Sequence, residues 1–331
     1  MNVNVSVGSL NQRRWQPGFA TDTPIRLIPL TWIMAALALS IVGVAILMRE
    51  AVLGVFLSRK LEMLATVGVS FMAAIMYQYR SPRDEWQRKL RDGTESFSLF
   101  IVICVVGALS TYPAAAESTG YSDEYLQRAD LFLQFHWLDW YAFIAEHPAV
   151  QWCERAAYQC IFVTPALLLG FFAHTGRKAE ARRLLAAFWL AAAITVLLFV
   201  FIPAQGPLAY LWHRPIPYLP ETALDQAQLI PALRAHRLHL VDLGSLRGLV
   251  AAPSFHAASA VLYTLAALPH RRIRWLAVLV NSAMLLATPV EGTHYLVDLI
   301  AGMVVALGSF AMVSALTQLS HEPEQQLGSF S

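Results

Sequence analysis

Long apolar stretches alternate with short polar segments along most of the chain. The first apolar stretch, residues 27–48, is long enough for a helix to cross the ~30 Å hydrocarbon core of a bilayer. Later stretches have the same character, so the pattern predicts an all-α polytopic transmembrane helix bundle of about eight spans. The predicted spans are residues 27–48, 61–79, 97–112, 156–172, 184–203, 253–269, 275–288 and 293–316.

The composition of the chain also indicates a membrane protein. Hydrophobic residues make up 57% of it and charged residues only 14%, whereas soluble globular chains carry about a quarter charged residues. The net charge of +2, with basic residues in short clusters, does not indicate nucleic-acid binding. We expect a transmembrane domain over residues 27–316, a cytoplasmic N-terminal segment over 1–26 and a polar C-terminal tail over 317–331.

Residues 113–150 differ from the rest because aromatic residues surround a few charges, as in DLFLQFHWLDWYAFIAEHP. Trp and Tyr favour the headgroup level of a bilayer, so this segment predicts an amphipathic helix in the membrane interface. The alternative is an extramembrane loop that packs on the bundle.

The distribution of basic residues predicts the orientation of the chain. Fifteen of the 24 Lys and Arg residues lie in loops on the side of the N-terminus, and eight lie in loops on the other side. Both termini are therefore expected in the cytoplasm. The loop over residues 204–252 and the turn before the eighth span then share the non-cytoplasmic face, with a plasma (inner) membrane as the default location.

Two polar motifs stand at the beginnings of predicted spans on that face. GLVAAPSFHAAS, at the sixth span, contains Ser254 and His256, and EGTHYLVDLIAG, at the eighth, contains His294 and Asp298. Ionisable residues inside membrane helices are costly and usually functional. Since His294 and Asp298 are four residues apart, they lie on one face of a helix.

These side chains favour phosphoryl transfer. A carboxylate can hold one nitrogen of a histidine while the other attacks phosphorus, giving a phosphohistidine, and His256 could protonate the leaving alkoxide. Metal ligation by the same three side chains is the alternative, but no H-E-x-x-H pattern accompanies them. We predict no metal and no cofactor. Backbone amides at the two helix starts and four side chains are the candidates for binding phosphate: Arg247, Arg214, Ser254 and Thr288.

PSFH, followed about forty residues later by THYLVD, resembles the second and third motifs of the type 2 phosphatidic acid phosphatase (PAP2) superfamily. THYLVDLIAG together with FIPAQGP is more similar to the branch containing inositol phosphorylceramide synthases, and sphingomyelin synthases use the same two histidines and aspartate. The resemblance covers residues 201–302 and implies a six-helix core. It also implies that His294 is the nucleophile, Asp298 its partner and His256 the acid.

The sequence departs from the phosphatase members of that superfamily. Their Lys-x6-Arg-Pro motif has no lysine here, and only His213-Arg214-Pro215 is similar to its end. Their Ser-Arg pair before the nucleophile is replaced by Ala287 and Thr288. The departures favour a phosphotransferase of the inositolphosphotransferase type, with membrane phospholipid as donor and a ceramide- or diacylglycerol-like acceptor.

The sequence leaves two other functions open. A lipid phosphatase that releases inorganic phosphate is the nearest alternative, and a transporter would fit the polytopic architecture alone. Beside the motifs, we interpret Tyr295 as an interface anchor rather than a headgroup ligand. Pro203, Gly206 and Pro207 are expected only to end the fifth span and turn the chain, and Gly302 to permit close helix packing.

Overall fold

The computed structural model describes residues 25–318, which form a bundle of thirteen α-helices and one small sheet. The all-α polytopic fold predicted from the sequence is confirmed. The helices are α1 Leu30–Glu50, α2 Arg59–Gln78, α3 Glu85–Glu117, α4 Asp123–Phe132, α5 Trp137–Glu146, α6 Pro148–Tyr158, α7 Cys160–His174, α8 Lys178–Phe201, α9 Pro207–Leu211, α10 Asp225–Arg234, α11 Phe255–Ala267, α12 Arg274–Glu291 and α13 Leu296–Gln318. The parallel strands β1 Gly54–Phe56 and β2 Leu240–Asp242 pair in register from Gly54 opposite Leu240.

Each of the eight predicted spans contains a helix, but they are not equally able to cross a bilayer. Within the described residues, α1, α2, α3, α8 and α13 are long and apolar enough. The pair α6–α7, bent by 42° at Gln159, makes a sixth if it counts as one span. Helix α11 has only 13 residues, because it begins at Phe255 and ends before the HRRIR turn. The structure therefore fits a multi-pass membrane protein with fewer complete spans than the eight expected.

Helices α3, α8, α11 and α13 form the centre of the bundle. Their core includes Phe100, Phe188, Tyr263 and Ala306, which are buried. Gly302 of α13 lies against the start of α11, where a Cβ atom would overlap the carbonyl oxygen of Ser254. The close packing expected of Gly302 is confirmed, and it brings the two motif-bearing helices together.

Helix α2 is peripheral by comparison, since none of its residues is buried. Its long apolar side chains face outward, as expected for a helix that contacts lipid rather than a protein core. The two polar motifs lie far from it along the chain.

Residues 113–150 do not form the single interfacial helix expected. Helix α3 continues to Glu117, and the shorter helices α4 and α5 follow, with a break after Phe132. Trp137 and Tyr141 are fully buried, so α5 packs on the bundle. Phe132 and Phe143 remain exposed on the outside, and their position in the membrane interface stays a prediction.

Two further expectations fall mainly outside the described residues. The cytoplasmic segment 1–26 overlaps them only at residues 25 and 26. The polar tail 317–331 overlaps them only at its first two residues, which still belong to α13.

Candidate active site

The two polar motifs meet at one end of the bundle. The backbone amide of Ser254, just before α11, donates a hydrogen bond of 2.9 Å to the carbonyl of Asp298 in the first turn of α13. His256 and His294 consequently line the same cavity, which has a volume of about 250 Å³. The structure thus brings together two residues that are 38 positions apart in the sequence.

His294 and Asp298 are arranged as a buried pair. Only 3% of His294 and 1% of Asp298 is exposed, and Nδ1 of the histidine lies 3.7 Å from Oδ2 of the aspartate. This separation is longer than a hydrogen bond, and within the described residues Nδ1 has no hydrogen-bond partner. Oδ2 also accepts a hydrogen bond from the amide of Tyr295. The carboxylate therefore faces Nδ1, and a small movement would complete the contact.

The other imidazole nitrogen lies beside Gly292, which also lines the cavity. A Cβ atom on Gly292 would lie 2.6 Å from Cδ2 of His294 and 3.1 Å from its Nε2. Glycine at this position therefore leaves the Nε2 edge of the ring uncovered. The arrangement gives His294 one nitrogen facing a carboxylate and one facing the cavity.

His256 has a different neighbour, which sequence reasoning missed. Its ring stacks on Tyr158, with 4.0 Å between ring centroids and 12° between planes, and the Tyr158 hydroxyl lies 3.3 Å from Nδ1. Tyr158 is the last residue of α6 and is buried. It lies 98 positions from His256 and in no recognised motif, so the sequence carried no signal for the contact.

Arg247 is the only lysine or arginine lining the cavity in the part of the chain that the structure describes. Its Nε lies 3.7 Å from Oδ2 of Asp225, and its amide donates to the hydroxyl of Tyr112. Burial raises the pKa of Asp225, and the charge of Arg247 opposes this shift. Glu221 lines the same cavity, so Arg247 has acidic side chains near it.

The other candidate phosphate-binding residues lie elsewhere. Arg214 is exposed and is not among the cavity-lining residues. The hydroxyl oxygen of Ser254 caps α11 by accepting from the amide of Ala257, and the Thr288 hydroxyl donates to the carbonyl of Met284. Both are fully buried and neither lines the cavity. Their role in binding phosphate stays a prediction, and Arg247 is the best placed of the four.

The beginning of α13 is capped by Asp130 of α4 in addition to its own Asp298, which accepts from the amide of Tyr295. The two carboxylate oxygens of Asp130 accept hydrogen bonds from the amides of Leu296 and Val297, at 2.8 and 2.9 Å. Those amides are thus not free to bind phosphate, contrary to the expectation for this helix start. Burial raises the pKa of Asp130, and the two amides oppose the shift.

Asp123 of α4 connects two segments next to the site by hydrogen bonds. It accepts hydrogen bonds from the amides of Gln205 and Gly206 and from the hydroxyl of Tyr295. Tyr295 is fully buried, so its interpretation as an interface anchor was wrong. Burial raises the pKa of Asp123, while these donors oppose the rise.

The FIPAQGP segment does more than end α8. Gly206 adopts a φ of +88°, and a Cβ atom there would lie 2.7 Å from the carbonyl oxygen of Thr293. Glycine is therefore required both by the backbone conformation and by the close approach. The segment packs directly against the residue before His294.

Glu291 connects the long loop to the turn that carries His294. This buried carboxylate accepts hydrogen bonds from the hydroxyl of Tyr218 and from the amide of Glu221, and its carbonyl accepts from the amide of Thr222. Arg155 of α6 also donates a hydrogen bond to the Tyr218 hydroxyl. Glu221 and Thr222 are consequently fixed at the cavity wall.

The cavity wall combines polar and apolar side chains. The polar ones include both histidines, Arg247, Glu221, Thr222 and Gln226. The rest of the wall is mostly apolar, and its side chains include Phe100, Ile103, Phe162, Phe188 and Val196 from α3, α7 and α8. Among residues 25–318, no three His, Cys, Asp or Glu side chains are grouped closely enough to hold a metal ion.

A sequence model of the PAP2 superfamily matches residues 124–312, more than half of the chain. The chain belongs to the PAP2 superfamily. The PAP2 match contains both histidines and Asp298 and extends from α4 into α13. It supports a lipid phosphatase or phosphotransferase kind of function on lipid phosphates. Neither a comparison with curated proteins nor one with solved structures gave a match.

Proposed function

We propose that this protein is a metal-independent lipid phosphotransferase that moves a phosphorylated headgroup, such as phosphoinositol, from a phospholipid to a lipid hydroxyl. The observation that carries the proposal is the position of His256 and His294. His256 lies in the first turn of α11 and His294 lies just before α13, and both line one cavity whose wall is otherwise mostly apolar. Such a cavity suits a lipid, whose headgroup would lie near the histidines and whose chains would lie along the apolar wall.

In the first step, Nε2 of His294 attacks the phosphorus of the donor lipid. The new N–P bond forms while the P–O bond to the glycerolipid oxygen breaks, and that oxygen takes a proton from His256. Asp298 faces Nδ1 of His294 and stabilises the positive charge that develops on the ring. The products of this step are a diacylglycerol and a phosphohistidine that carries the headgroup.

In the second step, the hydroxyl of an acceptor lipid attacks the same phosphorus. Its proton returns to the now neutral His256 while the O–P bond forms and the N–P bond to His294 breaks. Both histidines regain their starting protonation states, so the cycle needs no further reactant. Water in place of the acceptor would give hydrolysis.

The charges around the cavity support transfer of a phosphodiester headgroup over hydrolysis of a phosphomonoester. A phosphomonoester carries about two negative charges near neutral pH, whereas a phosphodiester carries one. Apart from the imidazolium form of His256, Arg247 is the only cationic side chain lining the cavity within residues 25–318, and it lies near Asp225 and shares the cavity with Glu221. A singly charged phosphate matches this surrounding better.

The proposed location is a multi-pass position in a plasma (inner) membrane with the site on the non-cytoplasmic face. The bias of basic residues supports this orientation. It also fits the structure, in which the loop over residues 202–254 and the turn before α13 lie at the same end of the bundle.

The test uses purified full-length protein in phosphatidylcholine vesicles that contain phosphatidylinositol labelled in its phosphate. We expect a labelled product that carries the headgroup only when ceramide or diacylglycerol is added as acceptor. Phosphatidic acid in parallel vesicles tests the phosphatase alternative, and fast release of inorganic phosphate with no headgroup transfer would overturn the proposal. Movement of labelled lipid between leaflets, with no chemical product, would instead indicate a transporter.

A chelator arm tests the absence of a metal. We expect EDTA to leave the rate of headgroup transfer unchanged. Inhibition by EDTA that is reversed by an added divalent metal would show that His256, His294 and Asp298 act as metal ligands.

A further inference from the structure

Building on the proposed function, we propose that Tyr158 is a positioning residue that holds His256 as the proton donor to the leaving-group oxygen by stacking against its ring. The general acid in the proposed mechanism must keep one N–H directed at an oxygen that becomes available only during reaction. His256 therefore needs a support that fixes its ring without occupying the nitrogen that donates.

The geometry of the contact meets this requirement. The two rings are nearly parallel, at 12°, and their centroids are 4.0 Å apart. The hydroxyl oxygen of Tyr158 is 3.3 Å from Nδ1, which is close to the separation of stacked rings, so it lies over the imidazole and not in its plane. An imidazole N–H points within the plane of its ring. The contact is thus mainly face-to-face and leaves the ring edges free for the cavity.

The electrostatics of the stack also suit an acid. The face of an aromatic ring is electron-rich and attracts a cation placed over it. The imidazolium form of His256, which must exist before proton transfer, is therefore stabilised by the face of the buried Tyr158 ring. A leucine is smaller and has no aromatic face, so it would offer His256 no such attraction.

Tyr158 is itself held firmly. It ends α6 at the bend before α7. One turn earlier, Arg155 donates to the hydroxyl of Tyr218 and to the carbonyl of Leu219, which ties α6 to the long loop. The stacking surface offered to His256 therefore has a fixed position relative to both α11 and the cavity wall.

The test compares Tyr158→Phe and Tyr158→Leu on two donors that differ only in leaving group. Phosphatidylinositol must expel a strongly basic alkoxide that needs protonation, whereas 4-nitrophenyl phosphoinositol expels a weakly basic phenolate that does not. We expect Tyr158→Leu to lower kcat on phosphatidylinositol by about 100-fold. On the nitrophenyl donor we expect it to stay within about threefold of the natural protein.

Tyr158→Phe keeps the aromatic face and loses only the hydroxyl, so it should stay within about threefold of the natural protein on both donors. His256→Ala should show the same dependence on leaving group as Tyr158→Leu, and the double variant should be no worse than His256→Ala alone. Trp152→Leu is the matched control, because it removes an exposed aromatic residue from the same helix.

Three results would overturn the role of Tyr158. Equal losses on both donors would indicate a purely structural effect, full activity of Tyr158→Leu would show that the stack is not needed, and a Tyr158→Phe defect as large as that of Tyr158→Leu would assign the effect to the hydroxyl. Failure of the proposed function is distinguishable from these, since the natural protein would then transfer the headgroup from neither donor.

Discussion

The regions around His294 and His256 hold the same kind of side chain in different ways. His294 lies at the turn between α12 and α13, where its Nδ1 edge faces the carboxylate of Asp298. His256 lies within the first turn of α11, where the face of its ring is covered by Tyr158. A contact at the edge selects which nitrogen carries a proton, whereas a contact at the face leaves both nitrogens available. The difference supports a nucleophile in the first region and an acid in the second.

The largest effect is expected from removing the proposed nucleophile, His294. We expect His294→Ala to abolish headgroup transfer and any covalent phosphoprotein, because the substitution removes the attacking nitrogen. The measurement is trapping of acid-labile label on the protein after mixing with labelled phosphatidylinositol. His256→Ala should differ in kind, since it still forms the labelled protein from the nitrophenyl donor. Equal labelling of His294→Ala and the natural protein would contradict the assignment.

Asp298→Asn tests the role of the carboxylate beside His294. An amide of the same shape cannot stabilise the ring charge and can hold the wrong tautomer, so we expect a loss in kcat of about 10³–10⁴-fold. Steady-state transfer assays measure it, with Asp139→Asn, an exposed change on α5, as the control. A loss below tenfold would show that the separation of 3.7 Å between His294 and Asp298 does not close during reaction.

The uncovered edge of His294 can be blocked by Gly292→Ala. Since the new methyl group would lie 2.6 Å from Cδ2 of His294 and 2.8 Å from the carbonyl oxygen of Thr288, the ring must shift. A shift of about 1 Å is expected to lower kcat by about 100-fold. Gly308→Ala on α13 is the matched control, because nothing lies within 4 Å of its added Cβ atom. Similar activities for both variants would contradict the argument.

The smallest effects are expected on thermal stability, when the caps at the beginnings of α11 and α13 are removed. Asp130→Ala leaves two amides of α13 without partners, and an unsatisfied buried donor costs about 1–3 kcal/mol. Ser254→Ala removes a longer cap contact of 3.4 Å and should cost about 0.5–1 kcal/mol. Thermal unfolding in detergent should therefore show the larger decrease in Tm for Asp130→Ala. A larger decrease for Ser254→Ala would contradict the difference between the two starts.

The sequence predicted the parts of this molecule that depend on local pattern. Apolar stretches located a helix in each of the eight expected places, and the two polar motifs located His256, His294 and Asp298 at helix starts. The meeting of the two motifs followed from the predicted orientation. Arg247 lines the cavity because the loop that carries it leads directly into α11, and its role in binding phosphate stays a prediction.

Contacts between distant segments were not predictable in the same way. Tyr158, Asp130 and Glu291 support the site through hydrogen bonds or stacking with residues more than 65 positions away, and nothing near them in the sequence marks the contact. For Tyr295 the local sequence indicated the wrong environment. Its type and position favoured the interface, yet its burial against Asp123 depends on how α4 packs, which the local sequence does not encode.

Helix α3 lies before the matched residues 124–312, yet Phe100, Ile103 and Cys104 on this helix line the apolar side of the cavity. Under the proposed function, bond breaking and selection of the lipid tail are therefore encoded in separate stretches of the chain. Exchanging side chains on α3 for larger or smaller ones would retune which tail lengths are accepted. The histidines would keep their reactivity throughout, so tail preference could diverge independently of the chemistry.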